Sequence, residues 1–312
     1  MLWLHVALAF PPPVAPPRNR IVNGTPTPSH RNVVAIAVVS EGADPWVFCT
    51  GTLVHPSYVV TAAHCLVDLS LDRSQVLIGS DLRSGTAEAS IPIAQVWPHP
   101  DYESENFLND IGVIELEFPV ADVAISAVND DLPQGSWLGE AFRFVGFGDP
   151  FDGAFQTGTK RFTDIPLTAW DSQYLYFSDP ETNICQGDSG GPAFERTPDG
   201  LELAGVNAFV INGCEGGQSG ATRVDAFIPW LNLYIPTLVV DPSQIPPDEA
   251  DTDTDTDTDS DIDTELPWGA PTTPTPGTYR KQWTCQNTIS TDGPVFIGLF
   301  VGLFALRRRR TE

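Results

Sequence analysis

Between residues 21 and 235 the sequence repeats one local pattern: short runs dense in Val, Ile and Phe, each cut off by Gly, Pro, Asp or Asn. The clearest are VVAIAVVS, YVVTAA, SQVLIG, IGVIELE, FRFVGFG and LAGVNAFVI. Such runs are too short for typical helices, and their β-branched and aromatic side chains suit a pleated, half-buried surface. They predict an all-β sandwich or barrel. The clearest helical segment is VDAFIPWLNLYI, Val224 to Ile235, with Pro229 either in its first turn or kinking it. A compact domain over residues 21–240 is the economical reading.

The flanks have a different texture. MLWLHVALAF has the apolar character of a secretory signal, and Ala-Leu-Ala at 7–9 offers small residues for cleavage. No Lys or Arg precedes Arg18, so the basic start of such a signal is missing and an in-frame upstream start is expected. Proline is dense from Pro11 to Pro17, which blocks helix and sheet ladder alike, so residues 1–20 read as a signal-like and pro segment. Residues 241–293 contain an Asp-Thr alternation, DTDTDTDTDSDID, that has no face to bury and repels itself. An extended, solvated, acidic linker is predicted. Its D-x-D repeats lack the bend Gly and final Glu of an EF-hand in register, and the Thr and Pro of 252–278 suit O-linked sugars.

Residues 294–312 hold PVFIGLFVGLFAL followed by four arginines. As a helix that run reaches only about 20 Å, against a hydrocarbon core of roughly 30 Å. A short membrane anchor or sorting segment is expected, with the arginines cytoplasmic and the rest of the chain outside. The formal charge of −25 is uneven, with Asp248 to Glu265 carrying acids and no Lys or Arg, and the one Lys/Arg cluster adjoins the apolar run. That argues against a nucleic-acid partner, because phosphate attraction needs basic residues gathered on a folded face.

Four of the five cysteines, Cys49, Cys65, Cys185 and Cys214, lie in the domain. Four cysteines permit three pairings, and none has the close CxxC spacing of a zinc site. Two structural disulfides in an oxidising compartment are expected, with no metal and no cofactor. Cys285 is left over.

The chemistry turns on NICQGDSGGPAF, where Ser189 stands among residues that also build ordinary turns. A serine nucleophile needs a base, a carboxylate to orient that base, and donors for the oxyanion that forms. His64 in VVTAAHC ends one strand-like run, and Asp110 in NDIGVIEL opens another. His5, His30 and His55 lack such a setting, and His99 sits among prolines.

Taken in order, IVNG, TAAHC, DIGVIEL and GDSGGP resemble the motifs of the chymotrypsin-fold, trypsin-like serine proteases, from Ile21 to about Ile235. The resemblance implies two six-stranded antiparallel β-barrels with a short C-terminal helix. It implies a triad of His64, Asp110 and Ser189, an oxyanion hole from the N–H groups of Gly187 and Ser189, and protein or peptide substrates. It pairs Cys49 with Cys65 and Cys185 with Cys214. A further disulfide common in the family is missing between Asp164 and Thr182, which should leave that loop less constrained. It makes Arg20–Ile21 the activation bond, cut by an activating protease, with the new Ile21 ammonium joining Asp188. In the specificity pocket it puts Asn183 where members preferring Arg or Lys carry an aspartate, with Val210 on one wall and Gly220 near the opposite one. Small or medium uncharged side chains should then be preferred.

A rival reading is a catalytically silent homologue that binds at a surface. The tail, with Cys285, an apolar run and an arginine cluster, resembles bacterial sorting signals of the myxobacterial type, which makes Cys285 a candidate processing point and the cell surface the expected location.

Overall fold

The computed structural model describes residues 21–84 and 87–240. The signal-like segment, Arg20, the acidic linker, Cys285 and the apolar C-terminal segment lie outside these residues. The strands are β1 (Thr25–Pro26), β2 (Val33–Val38), β3 (Trp46–His55), β4 (Tyr58–Thr61), β5 (Ser74–Ile78), β6 (Ala89–Pro98) and β7 (Gly112–Leu116) in the first half. The second half adds β8 (Ala127–Val128), β9 (Ala141–Gly146), β10 (Arg161–Trp170), β11 (Tyr174–Ser178), β12 (Pro192–Thr197), β13 (Gly200–Ile211) and β14 (Gln218–Arg223).

Two antiparallel barrels result. The first closes in the order β2-β3-β4-β7-β6-β5. The second runs β10-β11-β14-β13-β12-β9 and closes through β9–β10 pairing, with β1 added along β10 and β8 lying parallel to β13. Closure removes exposed sheet edges, which suits sequences whose strands are short and apolar. The first barrel is filled by Val34, Ile36, Leu53, Val60, Val76 and Ile114, among others, and the second by Phe142, Phe144, Leu167, Phe177 and Ala221.

The helical segment is shorter than the periodicity predicts. A 3-10 turn at Asp225–Phe227 leads into a helix of one turn, α1 (Ile228–Leu231), with Pro229 in its first turn. There proline loses no helical hydrogen bond, because those N–H groups have no intrahelical acceptor. Leu231 and Ile235 still bury fully, and Trp97 stacks on Tyr234 at 4.8 Å, so packing against the first barrel takes over where the helix stops.

The region between Asp164 and Thr182 differs from its expectation as well. Instead of a loose loop, β10 turns directly into β11, with Trp170 opposite Leu175. Asp171 closes the turn, its Oδ1 accepting from the N–H groups of Gln173 and Tyr174 and its Oδ2 from the Tyr176 hydroxyl. A connection this short leaves no loop for a disulfide to restrain. Among the described residues no helix is long and apolar enough to cross a membrane.

Candidate active site

The barrels contribute different parts of the site. His64 sits in a 3-10 turn, Ala63–Cys65, two residues beyond the end of β4, and Asp110 lies two residues before β7. β4 and β7 are paired neighbours, Thr61 opposite Gly112, so the two side chains emerge together at one end of the first barrel. Asp110 accepts twice from His64: Oδ1 from the backbone N–H at 2.9 Å, and Oδ2 from Nδ1 at 2.6 Å. The Asp110 side chain is fully buried and that of His64 is 2% exposed. A histidine whose Nδ1 donates to a carboxylate keeps the Nε2 lone pair free to act as a base.

Ser189 comes from the turn before β12. Its carbonyl oxygen accepts from the Thr50 N–H at 2.8 Å and lies 3.7 Å from Cys65 Sγ, next in the chain to His64. Ser189 Oγ and His64 Nε2 are both buried and neither makes a hydrogen bond. Buried polar atoms usually have partners, and catalytic hydrogen bonds often tighten only when substrate arrives. Phe107, held at a left-handed φ of 58°, sets its ring edge-on to His64 with centroids 6.1 Å apart.

Gly187 adopts φ +93°, and an added Cβ would stand 2.8 Å from Thr157 Cγ2 and 3.0 Å from Gly148 Cα. Only glycine enters this conformation without strain. Next to it Asp188 is fully buried, accepting from Gly148 N–H at 2.7 Å and Cys185 N–H at 2.9 Å. Burial pushes its carboxyl up to about 7; the two N–H bonds and the Arg161 guanidinium pull the other way, and Asp149 adds to the rise. Ile21 is fully buried, and the chain after it is zipped to the same segment. Val22 bridges Asn183, and the Val22 carbonyl accepts from the Thr182 hydroxyl at 2.5 Å.

The expected pocket residues separate. Asn183 is fully buried; its Oδ1 accepts from the Ile184 N–H at 2.9 Å, while Nδ2 has no partner. Val210 is opposed by Ser219 across β13–β14, whereas Gly220 is opposed by Phe209. Val210 and Gly220 thus lie on adjacent strands, one pair apart. Gly220 serves the packing. A Cβ there would meet the Phe209 ring at 2.2 Å, so its bare Cα lets the ring lie against the sheet. Ser219 Oγ and Asn207 Oδ1 are also buried and unpartnered. No motif flagged Ser219, Asn207 or Phe209; only strand register, with same-face residues two apart, could have found them.

Both disulfides form, Cys49–Cys65 with Cα atoms 6.2 Å apart and Cys185–Cys214 at 5.1 Å. The first ties the His64 turn to β3, and the second ties the Asn183–Ser189 segment to the connection after β13. Two clusters have metal-like composition, Cys49–His64–Cys65 and Asp152–Cys185–Cys214. Their sulfurs are already bonded to each other, so neither offers a thiolate.

His64 is thus held by Asp110, Ser189 lies on a segment whose backbone bonds Thr50 and approaches Cys65, and Gly187 turns the chain just before it. Comparison with known proteins identifies the family. The family model described as Trypsin matches residues 21–231. "Serine protease 56" of Mus musculus is 30% identical over 236 residues, covering 66% of this chain and 39% of the mouse protein. "Trypsin" of Saccharopolyspora erythraea is 28% identical over 221 residues, covering 66% of this chain and 94% of its own length. "Brachyurin" of Leptuca pugilator is 31% identical over 204 residues, covering 60% and 88%. The chain belongs to the trypsin family, with residues 21–231 as its trypsin domain.

Proposed function

We propose that this chain is a secreted serine endopeptidase, made as a precursor and activated by cleavage between Arg20 and Ile21, that cuts protein or peptide substrates with Ser189, His64 and Asp110. The observation that carries the reading is the doubled attachment of His64 to Asp110, at 2.9 and 2.6 Å, with Nε2 left buried and unbonded. Ser189 Oγ attacks the scissile carbonyl carbon while its proton passes to Nε2. The carbonyl oxygen becomes an oxyanion, met by the N–H groups of Gly187 and Ser189. The C–N bond then breaks, His64 returns the proton to the departing amine, and the acyl group stays on Ser189. Water repeats the sequence: Nε2 takes its proton, hydroxide adds to the ester carbonyl, and the proton goes back to Ser189 Oγ as the acid leaves. Asp110 holds the tautomer and stabilises the imidazolium that forms in between.

Activation follows from the buried Asp188. A carboxylate in an apolar setting is costly without a cation, and the ammonium freed at Ile21 is the natural partner. The zipper from Val22 to Thr182 and Asn183 favours that insertion. Substrates with small or medium uncharged side chains before the scissile bond fit a pocket with Asn183 where a carboxylate would recognise Arg or Lys, Val210 on one wall and Gly220 near the opposite one, since none of these carries a charge to pair with a guanidinium. Arg20 is then a poor site for self-cleavage, and a separate activating protease is implied. Two disulfides favour an oxidising, extracellular location. Retention at the cell surface through residues 294–312 rests on the sequence alone.

Titration with a serine-directed fluorophosphonate tests the reading. Protein cleaved after Arg20 should bind one equivalent and hydrolyse peptide libraries, and Ser189→Ala should do neither. Failure of the cleaved wild-type protein to react would favour the silent surface-binding homologue.

A further inference from the structure

The mechanism above leaves one buried carboxylate unused. Asp149 is 4% exposed and sits just beyond β9, two residues after Phe147. Its backbone N–H donates to the Gln186 carbonyl oxygen at 2.6 Å. In a trans peptide the C=O and the following N–H point in opposite directions. Holding the Gln186 oxygen on Asp149 therefore turns the Gly187 N–H the other way, as an oxyanion donor requires.

The side chain of Asp149 secures that backbone. Its Oδ1 accepts from the Gln156 N–H at 2.6 Å and its Oδ2 from the Phe155 N–H at 3.2 Å, closing residues 149–156 into a compact loop. The loop continues into Thr157, whose methyl crowds the Cα of Gly187 and whose hydroxyl donates to the Val47 carbonyl at 2.7 Å. Asp149 thus joins three things: through its N–H the Gln186–Gly187 peptide, through its carboxylate the loop packed against that peptide, and through that loop the anchor on the first barrel. Arg161 and Arg83 supply the nearby positive charge, and Arg161 also acts on Asp188, so the two carboxylates share one buried guanidinium.

We propose that Asp149 is a positioning residue of the oxyanion hole: its carboxylate folds residues 149–157 so that its own N–H holds the Gln186–Gly187 peptide in the donating orientation. This rests on the protease reading of Ser189 and Gly187. No sequence motif marks Asp149, because its role depends on a loop returning to the residue that starts it.

The test uses the full chain cleaved after Arg20, with Asp149→Ala and Asp149→Asn. Loss of an entire oxyanion donor lowers kcat by roughly 10²–10³. Loosening one should cost less, so Asp149→Ala is expected to lose about tenfold in kcat with KM within twofold. A tenfold change equals about 1.4 kcal/mol of barrier. A peptide boronic acid, which presents an oxyanion-like oxygen, should bind weaker by the same factor, while the product peptide binds unchanged. Asp149→Asn keeps one acceptor oxygen and should fall between. A purely structural role would instead change KM and product affinity together, and that result overturns the proposal. So does an Asp149→Ala enzyme with kcat within threefold of wild type. If Asp149→Ala does not fold, Asp149→Asn decides: a fall of threefold or more in both kcat and boronate affinity at constant KM supports the proposal, and unchanged kcat overturns it. An inert wild-type enzyme sinks the protease reading along with this one; an active wild type with unaffected variants sinks this one alone.

Discussion

The buried carboxyl of Asp188 gives the precursor's stability a pH dependence that cleavage should remove. In the folded chain Asp188 keeps its proton until about pH 7, against an ordinary value of 3.8. That difference, roughly 3 in pKa, corresponds to on the order of 4 kcal/mol. The folded state binds the extra proton between those two values, so stability falls as pH rises from about 4 to about 7 and is flat above. Asp149, which burial also pushes up, and Glu195 act in the same direction, so the contribution must be isolated by difference. Full-length Ser189→Ala, which cannot cut itself, is unfolded in urea at pH 5 and pH 8 with and without Asp188→Asn. Asparagine has one oxygen for the two N–H groups of Gly148 and Cys185, which costs a constant offset of about 1–3 kcal/mol. What matters is slope: the parent should lose several kcal/mol more than Asp188→Asn between the two pH values. After cleavage at Arg20, the Ile21 ammonium lowers the carboxyl and the extra loss should vanish. Parallel pH profiles for parent and Asp188→Asn would refute the idea that burial without a contacting cation governs this group.

Gly187→Ala must either strain its φ of +93° or rotate the peptide out of the hole, and is expected to cut kcat by roughly 10²–10³ while KM stays within a few-fold, read by steady-state kinetics on cleaved enzyme. Val210→Gly should widen the pocket, and because a methylene-sized change in such a pocket is worth about 1–3 kcal/mol, the kcat/KM ratio for Leu over Ala before the scissile bond should rise by tenfold or more. Glu195 faces Glu202 across β12–β13, and burial, then Glu202 and Asp131, push its carboxyl up to about 7 against the Asn129 amide that bonds it. Glu195→Gln should therefore raise Tm at pH 8 and leave it nearly unchanged at pH 5; a gain equal at both pH values would rule out charge as the cause.

The motifs that hold His64, Asp110, Ser189 and Gly187 stand out in the sequence because each is a distinctive set of residue types at short spacing, and the two disulfides form as the family likeness implies. Half of the barrel strands are equally plain, as short runs dense in Val, Ile and Phe. Four others are hidden for physical reasons. β6 and β10 contain prolines, β12 starts with one, and β14, QSGATR, has no large apolar side chain and buries its residues only because its neighbours cover them. The helix, Ile228–Leu231, is shorter than its apolar spacing implies because that spacing reports burial, whereas its end is decided by what Leu231 and Ile235 pack against. Val210 pairs with Ser219, Phe209 lies on Gly220, and Asp149 grips the loop it begins. Those placements depend on strand register and on where a loop returns, quantities that arise only when distant segments share space. Local chemistry is written in the chain itself; which buried polar groups meet, and which are left without partners, is settled when the two barrels close.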